Sequence, residues 1–216
     1  MNSNDVLRFL LANPAFFEEH PALVTQLRLP HPHSGKAISL TERQLIGLRQ
    51  RIAQLEDKFG ALLECGEEND AIGDKMHRLT VGLIEATDFP SARQALYTHL
   101  LEDFVVPHVA FRVWCSAHSH PGPEFMLVGE DVRQFTADLP EPYCGTPPLA
   151  EITQWFGPEG QQVRSQALVP LHHAGEILGL LAMGSEDPER FYSGMGTLYL
   201  VRLGELISAS LHRHLG

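Results

Sequence analysis

Hydrophobic and polar positions divide the chain into three stretches with different patterns. In residues 1–38, short apolar clusters alternate with prolines, and Pro14 and Pro21 each predict the start of a helix because proline is favoured in a first helical turn. We expect three short helices, then a loop over residues 29–35, where proline, glycine and histidine are concentrated. Helices this short are not stable alone. This segment is therefore predicted to pack on another element or on a partner chain.

Residues 39–87 predict one long helix, which begins with a capping box between Ser39 and Glu42. Its apolar residues recur with alternating spacings of three and four, the coiled-coil pattern; they are Leu45, Leu48, Ile52, Leu55, Phe59 and Leu62. The phase of the pattern shifts at Asn69. We expect a bend near Gly66 or Gly73, because glycine weakens a helix.

The spacing of this apolar stripe predicts a homodimer. With Leu45 at heptad position a, Arg51 occupies position g and Glu56 the following position e, so the two meet between chains of a parallel dimer. The alternative is that the stripe packs on the chain's own globular domain. For the part after Asn69, that alternative is the stronger one.

Residues 88–216 predict an α+β domain in which helices pack on an antiparallel sheet. We expect a helix capped by Ser91, then a hairpin of strands Val105–Cys115 and Glu124–Gly129. An irregular stretch over 130–163 follows, with a short helix around Leu149–Phe156. The domain ends with strands at Ser165–Leu171 and Ile177–Met183, joined by a glycine-containing turn, and a helix at about Gly194–His214. An irregular stretch as long as residues 130–163 is typical of a functional loop or lid.

Composition narrows the functional classes. The chain carries a net charge of −11, and such an acidic protein is a poor candidate for direct binding to nucleic acid. Its apolar runs are shorter than a membrane span, and its first residues lack the basic start of a signal peptide. The three cysteines are scattered, which argues against a disulfide framework. We expect a cytoplasmic protein that does not bind membranes.

Two sets of motifs resemble a known family. Ser165–Leu171, Gly175, Ile177–Ser185 and Phe191 are similar to the end of a GAF domain. Other motifs resemble the bacterial domain-of-unknown-function family 484, namely Phe9-Leu10, Asn13-Pro14, Phe16-Phe17, His20, Leu29-Pro30, Ser39-Leu40, Glu42-Arg43-Gln44, Leu48-Arg49, Asn69-Asp70 and Cys144-Gly145. The resemblance covers nearly the whole chain. It implies a GAF-like sheet with helices on one face and a ligand cavity on the other, and no established activity.

Arg112 and Trp114 are candidate ligand residues on the first predicted strand. They share a face with Ala110, and an arginine is unusual in so apolar a strand. If this face looks into the cavity, the planar guanidinium of Arg112 suits an anionic ligand and Trp114 supplies a flat wall. The alternative is an arginine near a sheet edge that either extends its charged end into solvent or pairs with an acid.

Cys144 is the candidate reactive thiol, because Tyr143, Cys144 and Gly145 lie in the stretch beside the presumed cavity. It is either a ligand contact or an oxidisable sensor if its pKa is lowered. The alternative is a small buried residue in a tight turn. The predicted pocket residues are Arg112, Trp114, Tyr143, Cys144, Gly145, Ser165 and Ala167.

Other chemistry has weaker support. The twelve histidines include pairs in predicted loops or at the C-terminal end, and we expect them to be solvated rather than bound to a metal; the pairs are His31 and His33, His118 and His120, His172 and His173, and His212 and His214. The sequence contains no Ser-His-Asp set, Walker loop, zincin helix or dinucleotide fingerprint. We therefore predict no catalytic residues, no cofactor and no metal.

These patterns predict a non-enzymatic, dimeric, GAF-like regulatory or sensor module, divided into segments 1–38, 39–87 and 88–216. An unidentified small molecule would bind between the sheet and the stretch 130–163, and the long helix would report its presence. One alternative is a ligand-free structural adaptor whose N-terminal helices engage another protein. A third reading is a redox sensor that uses Cys144.

Overall fold

The computed structural model describes residues 2–26, 28–30, 37–114 and 122–215, and the side chains of residues 2–23, 43–114 and 122–215. The chain forms two units, Met1–Asn69 and Asp70–Gly216. Each unit is described by itself below. The predicted segments 1–38, 39–87 and 88–216 divide the chain by element type and stay a prediction.

The first unit contains the three predicted short helices, which are α1 (Ser3–Ala12), α2 (Ala15–Glu19) and α3 (Pro21–Gln26). The expected loop is corrected in part, because β1 (Arg28–Pro30) pairs antiparallel with β2 (Ala37–Ser39). His31 and His33 lie outside the described residues, as do the side chains of the predicted capping box at the start of the long helix.

The long helix α4 runs from Leu40 to Glu85. It continues uninterrupted through Gly66 and Gly73, where a bend was expected. A Cβ at either glycine would meet nothing within 4 Å, so packing does not force a break there. A single glycine costs a helix up to about 1 kcal/mol, which neighbouring helical residues offset.

The second unit is of the predicted α+β class. Its elements are the end of α4, α5 (Phe89–Thr98), a π-turn (His99–Asp103), β3 (His108–Val113), a 3-10 turn (Pro123–Phe125), α6 (Glu130–Asp138), β4 (Tyr143–Gly145), α7 (Ala150–Gln154), a 3-10 helix (Gly157–Gln162), β5 (Ser165–His173), β6 (Glu176–Ser185) and α8 (Leu198–Leu215). The sheet order is β3-β6-β5-β4, and each neighbouring pair is antiparallel.

The predicted strand Glu124–Gly129 is wrong. Residues 123–125 form a 3-10 turn instead, and β3 pairs with β6. Pro123 has no amide hydrogen for a ladder. The side chain of Glu124 is buried and bound to other side chains, which a regular exposed hairpin would not allow.

Two predicted helix starts are also corrected. Helix α5 is capped by Asp88, whose carboxylate accepts from the amide of Ser91 at 2.8 Å, while the Ser91 hydroxyl accepts from the Asp88 amide at 3.2 Å. Helix α8 begins at Leu198 rather than Gly194. Gly194 has φ of +92°, which is not helical.

The sheet has two covered faces. On its helix face, the end of α4, α5 and α8 pack against β3, β5 and β6 around residues such as Phe111, Val169 and Leu181. Met76 and Leu79 of α4 belong to this core, which confirms that the part of the helix after Asn69 packs on its own domain. The loop face is covered by residues from the 122–163 stretch.

The hairpin between β5 and β6 was predicted correctly. Its two turn residues, Ala174 and Gly175, have φ of +51° and +87°. Both values are positive, as in a type I′ turn, whose twist matches that of the flanking strands.

Candidate functional site

The sheet separates the predicted pocket residues into two sets. Trp114 and Tyr143 pack into the loop face, and Arg112 shares that face by strand alternation. Cys144 and Ala167 contact the core of the helix face, and Ser165 alternates onto the same side. Gly145 follows Cys144 in β4. The structure therefore does not bring the seven residues around one cavity.

The two edges of the sheet hold the most distinctive of these residues apart. Arg112 lies on β3 and Tyr143 on β4, with β6 and β5 between them. At about 4.8 Å per strand, the two backbones are about 14 Å apart. A small ligand bound close to the backbone of Arg112 would therefore not reach the backbone of Tyr143.

Arg112 is 7% exposed, so its guanidinium is largely removed from solvent. Its Nη1 donates to the carbonyl of Phe111 at 3.0 Å, and its guanidinium lies 4.9 Å from the ring centroid of Trp155. Burial lowers the pKa of Arg112, while the charges of Glu124 and Glu151 oppose that shift. Arg112 lies on the edge strand β3, as the sheet-edge alternative requires, but the contacts described here are with a carbonyl and an aromatic ring; a ligand role for Arg112 stays a prediction.

Side chains fill the place predicted for the ligand on the loop face. Val132 from α6 and Ile152 from α7 pack on Leu168, Leu180 and Ala182 of the sheet, and all five have 0% exposure. The stretch 130–163 is thus a layer of short helices with its own core rather than an empty lid.

Tyr97 and Arg93, which are partly exposed, form a polar network around the buried Glu124 that sequence reasoning missed. The Tyr97 hydroxyl donates to the Glu124 carboxylate at 3.2 Å, and Arg93 lies 3.5 Å from the same carboxylate. Burial, then the charge of Glu124, raises the pKa of Tyr97. These residues are far apart in sequence, and Glu124 was expected on a strand, so no local pattern indicated the network.

Cys144 is half-buried, and its burial raises the pKa of the thiol. Because the thiolate is the reactive form, this shift keeps the sulfur in its less reactive state. Across the strand pair, Cys144 lies opposite Ala167. Ser165 donates from its hydroxyl to the carbonyl of Asp187 at 2.6 Å, which fixes the loop after β6.

Among the described histidines, His173 and His212 stack with ring centroids 3.8 Å apart. His118 and His120 lie outside the described residues, as does Cys115. Within the part of the chain that the structure describes, no three or more histidine, cysteine, aspartate or glutamate residues are grouped as metal ligands. In the same part, none of the helices has the length and apolarity needed to cross a membrane.

The helix face contains an apolar cavity of about 280 Å³, which we call the helix-face cavity. It is lined by Ile72, Met76, Leu100, Phe104, Val106, Met183, Arg190, Phe191, Met195, Gly196, Tyr199, Leu200 and Leu203. A more open depression of about 580 Å³ lies between α7 and the following 3-10 helix. The helix-face cavity combines apolar walls with one lining arginine, a combination that is common in small-molecule binding sites.

A family model described as "Protein of unknown function, DUF484" matches residues 1–215. The chain belongs to the DUF484 family. This confirms the family that the motifs of the sequence resemble. Three relatives are similar along most of their length, each named "Uncharacterized protein YigA".

The YigA relatives come from enteric bacteria. Those of Salmonella typhimurium and Escherichia coli K12 are each 23% identical to this DUF484 chain, and that of Shigella flexneri is 24% identical. Each alignment covers 221 positions, 99% of this chain and 92% of the relative. Both the family and these relatives are described without an activity, so function must be argued from the residues.

Proposed function

We propose that this DUF484 chain is a non-catalytic regulatory module that acts as a homodimer and binds a small molecule in its GAF-like second unit. One observation carries the proposal. The six apolar residues of the coiled-coil stripe on α4 are all exposed, with fractions from 45% at Leu45 to 69% at Leu62. A continuous apolar stripe in contact with water marks a surface that another molecule covers.

A second copy of the same helix fits this stripe best. The spacings of three and four place all six side chains on one seam, as two-stranded coiled coils require. Arg51 and Glu56 flank the seam with opposite charges, and both are exposed. An identical helix supplies both the apolar seam and the complementary charges.

The proposal is tested by replacing one seam leucine. Leu55 is 59% exposed, and fully burying a leucine contributes about 1.5–3 kcal/mol. Covering its exposed part thus contributes about 1–2 kcal/mol per chain and about 2–4 kcal/mol per dimer. Leu55→Ala should therefore raise the dimer dissociation constant about 30- to 800-fold, measured by sedimentation equilibrium of the full chain.

Leu63→Ala is the matched control. Leu63 is the same residue type on the same helix, and its exposure of 54% is close to that of Leu55. It lies outside the a and d positions, so we expect a much smaller change in dissociation constant. A monomeric native chain, or equal effects of the two substitutions, would contradict the dimer.

The regulatory and non-catalytic parts of the proposal have separate support. The helix-face cavity offers a place for a ligand in the second unit. Two groups with perturbed pKa values, Tyr97 and Arg112, already have partners within the fold, namely the Glu124 carboxylate and the Trp155 ring. A ligand that binds one conformation better than another would shift the population of the module.

A second candidate function, that of an adaptor, is favoured by α1. This helix has no buried residue, and Leu7, Phe9 and Leu11 are 57%, 51% and 75% exposed. Such a surface suits a partner protein. Affinity capture from bacterial extract with the full chain and with the Leu7→Ser, Leu11→Ser variant tests this function. Equal capture of the same proteins by both would argue against it.

A further inference from the structure

We propose that the helix-face cavity binds a medium-chain carboxylate, with the alkyl chain in the cavity and the carboxylate at Arg190. This inference deepens the proposed function by naming the class of small molecule. The inference concerns ligand binding, which can be measured separately from dimerisation. It also moves the ligand from the loop face, which side chains fill, to the opposite face of the sheet.

The size and lining of the cavity fit an alkyl chain. At about 30 Å³ for each water-sized group, 280 Å³ holds about nine non-hydrogen atoms. Met76, Met183 and Met195 line it, which are three of the five methionines of the chain. Methionine side chains are flexible and adapt to irregular apolar guests. A flexible chain of six to eight carbons is therefore a better match than a rigid polar ring.

The charge at the cavity selects an anion. Arg190 is the charged residue among those that line the cavity, and its guanidinium lies 5.7 Å from the ring centroid of Phe191. Its Nη2 donates to the carbonyl of Phe104 at 2.8 Å. A guanidinium has five N–H donors in a planar fork that matches a carboxylate. The ammonium of Lys75 lies 5.8 Å from the ring centroid of Phe104, so it adds a second positive charge beside this wall.

One wall of the cavity is held in a strained conformation. The π-turn His99–Asp103 precedes Phe104 and Val106, which both line the cavity. Between them, Val105 has φ of +53°, a conformation that a β-branched residue rarely adopts. The amide of Val106 donates to the carbonyl of Leu100 at 2.9 Å and closes this turn.

Strained backbone conformations and π-helical turns are destabilising, and both are found frequently at functional sites. Here the strain directs Phe104 and Val106 into the same cavity while the Val105 side chain is exposed. The Arg190 bond to Phe104 ties the strained wall to the residue that would bind the carboxylate. The apolar volume, the positive charge and the strained wall thus meet at one place.

The test is isothermal titration of the full native chain with octanoate, hexanoate and octylamine. We expect octanoate to bind once per chain. Removing each methylene should weaken binding about fourfold, so hexanoate should bind about 16-fold more weakly. Octylamine has the same chain with the opposite charge and should bind at least tenfold more weakly than octanoate. No binding of octanoate, or equal binding of octanoate and octylamine, would overturn the proposal.

Two variants locate the site. Val106→Phe enlarges a side chain that lines the cavity and is 4% exposed, so it should reduce the cavity volume and weaken octanoate binding about tenfold or more. Arg190→Gln should weaken octanoate binding about tenfold or more and strengthen octylamine binding, because it removes the positive charge that attracts the carboxylate and repels the ammonium. Arg164→Gln is the control, because Arg164 is exposed and does not line the cavity.

Circular dichroism checks that each variant is folded. If either variant fails to fold, the comparison of octanoate with octylamine on the native chain decides the proposal. Unchanged octanoate binding by folded Val106→Phe would refute it. Sedimentation of the same samples separates the two hypotheses: a dimer that does not bind octanoate contradicts this inference alone, whereas a monomer that binds octanoate contradicts the dimeric function alone.

Discussion

Gly179 is the residue at which one added methyl group should have the largest effect on the sheet. It lies in β6, opposite Val113 of β3 and Leu171 of β5. A Cβ at this position would lie 2.0 Å from the carbonyl oxygen of Arg112 and 3.1 Å from the Cα of Val113. Because both obstacles are backbone atoms, no side-chain rotation relieves the contact. Gly179→Ala therefore has to push β3 away from β6.

The size of the effect follows from that displacement. Ordinary contact of a Cβ begins at 3.4 Å, so the Arg112 carbonyl must move by about 1.4 Å. The adjacent bond from the Trp114 amide to the Leu178 carbonyl, 3.0 Å long, would not survive such a shift. Losing two ladder hydrogen bonds costs about 2 kcal/mol, and overpacking adds about 1–3 kcal/mol. We expect a total loss of about 3–5 kcal/mol and a Tm lower by about 6–20 °C.

Thermal unfolding followed by tryptophan fluorescence measures this effect. Both tryptophans, Trp114 and Trp155, lie in the second unit and report on it. Gly73→Ala is the matched control in the same unit, because a Cβ there meets nothing within 4 Å and alanine favours a helix by up to about 1 kcal/mol. The control should raise the Tm. If Gly179→Ala leaves the Tm unchanged or raises it as Gly73→Ala does, the close approach of β3 and β6 does not exist.

Two further substitutions test other features. Burial and the charge of Glu124 raise the pKa of Tyr97, so the folded phenol stays protonated while an unfolded tyrosine ionises near pH 10. The protonated phenol therefore stabilises the folded protein fully below about pH 10, and this contribution is lost as the pH rises through the pKa of Tyr97 in the folded protein. Tyr97→Phe should reduce the loss of stability to urea at alkaline pH. An unchanged dependence on pH would contradict the role of Tyr97. Ala174→Asn should raise stability by up to about 1 kcal/mol, because asparagine tolerates positive φ better than alanine. Gly175→Ala should lower the urea midpoint. A lower midpoint for Ala174→Asn together with a higher midpoint for Gly175→Ala would contradict the type I′ turn.

The elements with a strong local signal could be predicted from the sequence. The apolar spacing along α4 indicated a long helix, and the two apolar runs around Gly175 indicated β5 and β6 as a hairpin. The family followed from motifs spread over the chain. Periodicity suffices for such elements because the burial of one face repeats over many residues.

The features that depend on distant residues could not be predicted. β4 has three residues, too few to show an alternation, so it was expected to be part of an irregular stretch. The apolar residues within Glu124–Gly129 predicted a strand. The hydrogen bond between Glu124 and Tyr97 instead holds the segment around Glu124 in a 3-10 turn. The helix-face cavity gathers residues from α4, the π-turn, β6, the following loop and α8. No short window of sequence contains that combination.

The edge strands of the four-stranded sheet, β3 and β4, affect how copies of the protein can assemble. An open edge strand offers unpaired amides and carbonyls, and another chain can extend the sheet there without limit. Here β4 offers only three residues, and the 3-10 turn at Pro123–Phe125 contacts β3 at the other edge. Sheet extension into fibrils is therefore disfavoured. In the dimer proposed above, by contrast, the helix seam would close on itself after two chains and would not polymerise.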